Sequence, residues 1–101
     1  MFDTQLRRAI AEKRLIQLSY KGKLRVVEPH DYGIYKGVAR LFVYQVRGAS
    51  TTQGREGRGW KLLDAEKIAG CIVLDETFSG SRSGYDGRHL AWDAVYARVS
   101  Q

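Results

Sequence analysis

A chain of 101 residues has room for one hydrophobic core and not for two. With 44% hydrophobic and 28% charged residues, and with six Tyr, three Phe and two Trp, the composition is that of a folded globular domain and excludes a disordered chain. Seventeen Lys and Arg against eleven Asp and Glu leave a formal charge of +6 and a pI near 9.7, which favours a phosphate-bearing partner, although the same surplus would also serve solubility alone.

Cys71 is the single cysteine, which excludes an intramolecular disulfide and a cysteine-based zinc site, and no metal or cofactor is expected. The run Met1-Phe2-Asp3-Thr4-Gln5-Leu6-Arg7-Arg8 lacks the apolar stretch of a signal peptide, and no later stretch is long and apolar enough to span a bilayer. A cytoplasmic protein without a membrane partner is the expectation.

Asp3 or Thr4 can cap a helix, after which Leu6, Ala9, Ile10 and Lys13 fall at helical spacing, giving about three turns. From Leu15 the period changes to two. Ile16, Leu18 and Tyr20 alternate with Gln17 and Ser19, and Lys21-Gly22-Lys23 offers a tight turn. The returning strand, Leu24 to Glu28, is expected to stop at Pro29, the only proline, with extended chain resuming over His30 to Tyr35 and a second turn at Lys36-Gly37. Arg40 to Arg47 is rich in β-branched and aromatic residues on both faces, as a central or curved strand requires.

Gly48 to Gly59 has four glycines and no apolar periodicity, so it reads as an exposed, mobile loop. Trp60 to Leu63 restarts the sheet, Asp64 caps a short turn through Ile68, and Cys71 to Leu74 is an apolar strand. After the Gly- and Ser-rich stretch Ser79 to Gly87, residues 90–100 fit two patterns: Trp92, Val95, Tyr96 and Val99 form a helical face, while Ala94 to Val99 alternates as an edge strand. The expected architecture is one mainly β domain over residues 1–101: an N-terminal helix and a five-stranded bent barrel over about 15–78, with a C-terminal extension over 79–101. Leu18, Tyr20, Val26, Tyr44 or Val43, Leu62, Ile72 and Leu74 are its expected core.

Five runs carry a family resemblance. Ala9 to Arg14, Ile16 to Tyr20 and Arg25-Val26-Val27-Glu28-Pro29-His30, followed later by Trp60 to Ile68 and Val73 to Phe78, resemble WYL domains across residues 9–78. The tail around Arg82 to Tyr85 and Tyr96 to Val99 looks like that of small stand-alone WYL-like proteins. The resemblance implies an SH3-like or Sm-like barrel and a bacterial ligand-sensing module with a nucleotide or nucleic-acid ligand. Two departures stand out: Leu41, Phe42 and Val43 hold the positions of the naming Trp, Tyr and Leu, and Asp64 stands where the first of two basic side chains belongs, Lys67 keeping the second.

Basic and aromatic residues interleave at Arg25, His30, Tyr32, Arg40, Arg47, Trp60, Lys61 and Lys67, and these are the candidate ligand-binding residues. Rings that stack on bases beside cations that meet phosphates are how barrel modules hold single strands, although Tyr or Trp in a core and Lys or Arg on a solvated face give the same pattern. His30 and His89 lie far apart with no cysteine or carboxylate set beside them, so neither metal nor catalysis is expected. Cys71 reads as a buried small hydrophobe, and Ser50, Thr51 and Thr52 as a polar loop. The expected function is non-catalytic binding of an anionic ligand, a nucleotide or single-stranded nucleic acid. The rivals are a small metal-independent nuclease or toxin-like enzyme using His30, and an adaptor that forms a homodimer through an edge strand.

Overall fold

In the computed structural model, which describes residues 2–48, 58–85 and 90–100, the apolar row near the N-terminus winds into α1 (Asp3–Glu12). Leu6, Ala9 and Ile10 occupy one face and are no more than 1% exposed, so the helix is held by packing on the sheet. The expected caps are corrected. Phe2 is the N-cap and makes no side-chain cap bond, Asp3 lies inside the first turn, and Lys13 ends the helix in the left-handed conformation, its N–H donating back to Ala9 and Ile10.

The period-two run becomes β1 (Arg14–Tyr20), and Lys21 and Gly22, at φ 53° and 75°, make the tight turn into β2 (Lys23–Tyr35). Lys36 and Gly37, at φ 51° and 77°, repeat the device before β3 (Val38–Gly48). Then come β4 (Gly59–Asp64), a 3-10 turn (Ala65–Lys67), β5 (Ile68–Thr77) and β6 (Trp92–Arg98). As expected, the Asp64 side chain caps the turn, accepting from the Glu66 N–H at 3.1 Å.

All pairings are antiparallel, in the order β4-β3-β2-β1-β5, with β6 added on β2. Pro29 does not end its strand. One edge of β2 pairs with β1 over Lys23 to Val27 and with β6 over Asp31 to Tyr35, so Pro29 sits in the gap between the two partners, and on the β3 side it sits at a register shift. A residue without an N–H is tolerated at such a place. Gly33 is needed where β6 arrives, because a Cβ there would overlap the Ala94 carbonyl oxygen.

The ambiguous C-terminal segment is therefore a strand, and among the described residues the sheet has six strands where five were expected. The sheet is also not closed, since β4 and β5 are the ends of its ladder among the described residues. Leu18, Tyr20, Val26 and Val43 are buried as expected, but Leu63 and not Leu62 points inward, and Ile72 is 57% exposed. Register decides this. Leu63 opposes Leu41 and Lys61 opposes Val43 on the core face, whereas Ile72 opposes Gln17 on the outer face of an edge strand. Tyr44 and Leu74 are only half-buried.

Of the expected Gly48–Gly59 loop, residues 49–57, with Ser50, Thr51 and Thr52, lie outside the described residues, as does His89. Among the described residues no helix is long and apolar enough to cross a membrane.

Candidate anion-binding site

The register that fills the core also leaves polar residues at one end of its inner face. Leu18, a core residue, opposes Arg25, while Val27 opposes Gln45 and Val43 opposes Lys61. Arg25 and Gln45 are buried at 4% and 0% exposure, and Arg25 Nη1 donates to Gln45 Oε1 at 3.3 Å. The guanidinium carbon lies 5.3 Å from the Tyr20 ring centroid. Tyr20 is itself fixed, its hydroxyl accepting from the Asp64 N–H at 3.0 Å. Gly48 opposes Arg25 at φ 114°, where a Cβ would come within 2.7 Å of the Arg25 Cα.

Arg25 Nε is buried and has no hydrogen-bond partner among the described residues. A guanidinium presents a planar fork of donors that matches a carboxylate or a phosphate, and a desolvated donor left unmade costs about 1–3 kcal/mol. The residue lines a cleft of about 300 Å³ together with Tyr20, Lys21, Trp60, Lys61, Leu62 and Leu63. Among the described residues, Lys21 and Lys61 have no ion-pair partner and no carboxylate lines the cleft. Three cations beside aromatic and aliphatic walls can hold an anion with an apolar or aromatic body.

Of the sequence-predicted residues, Arg25, Trp60 and Lys61 meet in this cleft. The Trp60 ring stacks on Phe42, with centroids 5.0 Å apart, and meets His30 edge-on at 4.8 Å. Lys67 is exposed on the 3-10 turn, outside the lining. Arg47 is at a separate cleft of about 210 Å³ with Arg58, and its guanidinium pairs with Glu76 at 2.6 Å. Arg40 opposes Asp64 on β4, half-buried, its Nε without a hydrogen bond.

His30 and Tyr32 are internal. His30 is fully buried, with Nδ1 2.8 Å from the Glu28 carbonyl oxygen and Nε2 accepting from the Arg82 N–H at 3.1 Å, an arrangement that puts the ring proton on Nδ1. Burial pushes its pKa below the ordinary imidazole value. Tyr32 is 2% exposed and donates to Asp3 at 2.8 Å; burial and that bond push the phenol up to about 12. Cys71 is half-buried where a buried residue was expected, and that partial burial still pushes its thiol up to about 11, so it stays protonated near neutrality.

Lys21 was missed, because a lysine in a turn carries no signal of its own beyond turn chemistry. A larger cleft of about 420 Å³ lies beside Phe78 to Ser83, but the two charged groups that line it among the described residues, Glu28 and Arg82, neutralise each other in an ion pair. Among the described residues no His, Cys, Asp and Glu side chains group into a set of three that could hold a metal ion. No protein-family model, curated protein or solved structure matches the chain, so the chemistry of the site rests on its own residues.

Proposed function

We propose that the chain is a binding module that takes a phosphate-bearing anion, a nucleotide or single-stranded nucleic acid, in the cleft between the β1–β2 turn and β4. One observation carries the reading: among the described residues Arg25, 4% exposed with its Nε unpartnered, lines a cleft whose other charged members are Lys21 and Lys61. A bound oxyanion would give this desolvated guanidinium the counter-charge it lacks. The same ligand class is what the resemblance to WYL domains implies. The helix, the β4-β3-β2-β1-β5 order and the 3-10 turn joining its two end strands support reading the sheet as bent towards a small SH3-like or Sm-like barrel, with the cleft near one of its mouths.

The nuclease alternative loses its base, since both His30 ring nitrogens are engaged by backbone groups in a fully buried position. Fluorescence anisotropy with a labelled oligonucleotide at several salt concentrations tests the binding reading. Binding should weaken with salt, and Lys21→Ala or Lys61→Ala should each lower the salt slope by about one. If the wild-type protein binds nothing at low salt, where the electrostatic attraction is greatest, the reading is wrong and the edge-strand adaptor replaces it.

A further inference from the structure

We infer that the group recognised in the cleft is a phosphate monoester, carried by a free mononucleotide or by the phosphorylated end of a strand, and not an internal phosphodiester; this rests on the anion-binding reading above. Charge is the first reason. Among the described residues, Arg25, Lys21 and Lys61 line the cleft without a carboxylate beside them. An internal phosphodiester brings one negative charge to three cations, whereas a monoester carries close to two near neutrality, its second pKa being about 6.

Depth is the second reason. The three cations are graded in exposure, with Arg25 buried, Lys61 half-buried and Lys21 exposed. A phosphate that meets the Arg25 guanidinium therefore lies deeper than one held by the two lysines alone. A monoester enters with one ester substituent behind it and offers three terminal oxygens, enough to meet the guanidinium edge and both ammonium groups. A phosphodiester has two such oxygens and must draw a sugar in on either side.

Size agrees. A volume of about 300 Å³ suits one small molecule or one nucleotide, whereas sequence-neutral strand binders use open grooves several nucleotides long. The Tyr20 and Leu63 walls then meet the apolar part of the ligand, and the hydroxyl of Tyr20 is already engaged by Asp64.

Isothermal titration calorimetry at low salt tests the inference with adenosine and uridine monophosphates, the two nucleosides, cyclic adenosine monophosphate, and a short oligothymidylate with and without a terminal phosphate. The monophosphates should bind about tenfold or more tightly than the nucleosides and the cyclic diester, and the terminal phosphate should raise oligonucleotide affinity by a similar factor. Tighter binding of the phosphorylated strand than of the mononucleotides identifies a strand end as the source; the reverse identifies a free nucleotide. Arg25→Met and, at a half-buried position, Lys61→Gln should each erase the preference, with folding checked by circular dichroism. Equal binding of the phosphorylated and unphosphorylated strands, or of monoester and cyclic diester, overturns the monoester inference and leaves anion binding standing. Absence of binding by every probe overturns both.

Discussion

The Arg82 guanidinium grips the Glu28 carboxylate with two hydrogen bonds, at 2.8 and 2.7 Å. The backbone N–H of the same arginine donates to His30, its guanidinium carbon stands 4.0 Å from the Tyr44 ring centroid, and the nearby Tyr85 hydroxyl donates to Asp31 at 2.8 Å. Residues 78–85 thereby form a strap over the outer face of β2 and β3, and this explains why Glu28, His30, Asp31 and Phe42 are all buried on a sheet whose inner face already holds the main core.

Cutting that strap should destabilise the fold. Arg82→Ala leaves the Glu28 carboxylate, 8% exposed, without its partner, and an uncompensated buried charge is expensive. The Arg82 side chain is 39% exposed, so solvent screens part of the pair and the expected loss is about 1–3 kcal/mol. Arg82→Lys, which keeps the charge without the fork, should fall between. Urea unfolding measures both, and an unchanged midpoint for Arg82→Ala would show that the strap contributes nothing.

His30 gives the fold a pH dependence. Its folded pKa is depressed, chiefly by burial, below the ordinary value of 6.5, so below that pH the unfolded chain binds a proton that the folded chain refuses. Stability is complete above 6.5 and is lost as pH falls from there towards the folded pKa. Protonation would also put a donor at Nε2, facing the Arg82 N–H. Urea midpoints of the wild-type protein should drop between neutrality and mild acid, and in His30→Gln that drop should be smaller. Parallel curves for the two proteins would remove His30 from the account.

The local elements were legible because their causes are local: alternation at Ile16, Leu18 and Tyr20, and Lys-Gly pairs at both hairpin turns. What was not legible depends on distant partners. Pro29 looks like a stop until β6 takes over from β1 beside it, and Trp92 to Arg98 becomes a strand because β2 offers a free edge there. Leu62 and Leu63 are equivalent in composition, and only the register against Leu41 and Phe42 decides which points inward. In the candidate site, Arg25 and Lys61 were identifiable as basic residues on strands, but the ladder sets them opposite Gly48 and Val43, five residues apart on β3, and they share a cleft because the sheet bends until Tyr20 on β1 meets Asp64 at the end of β4. His30 reads the same in sequence whether exposed or sealed, and what seals it is the strap.

Tyr32 joins the sheet to the first turn of α1 through its bond to Asp3 at 2.8 Å. With the phenol pushed up to about 12 from an ordinary 10, the folded chain holds its proton more tightly than the unfolded chain. That contribution is complete below pH 10 and is lost as pH rises through about 12. Tyr32→Phe should cost about 0.5–1.5 kcal/mol at neutral pH and remove this alkaline loss. Ultraviolet titration of tyrosinate should show one late-titrating phenol in the folded protein that is missing from the variant. If the variant titrates like the wild type, Tyr32 is not the late-titrating phenol and burial does not hold its proton.

Arg25 sets stability against binding. Its guanidinium is desolvated, bonds Gln45 at a long 3.3 Å and leaves Nε unmade, so in the absence of ligand it is an unfavourable occupant of the inner face. Methionine has a similar reach and no polar group, and replacing buried charge with apolar volume is often neutral or stabilising by about 1–4 kcal/mol. Loss of the donor to Gln45 and of the contact with the Tyr20 ring offsets part of that gain. The expected result is that Arg25→Met unfolds at the wild-type urea midpoint or above it, with a gain of about 1 kcal/mol, while losing ligand affinity. A structural arginine would behave in the opposite way, with stability falling and binding following it down. Unfolding curves and titrations on the same two proteins therefore separate a residue kept for its ligand from one kept for its fold, and a Met variant destabilised by more than about 1 kcal/mol would assign Arg25 to the fold.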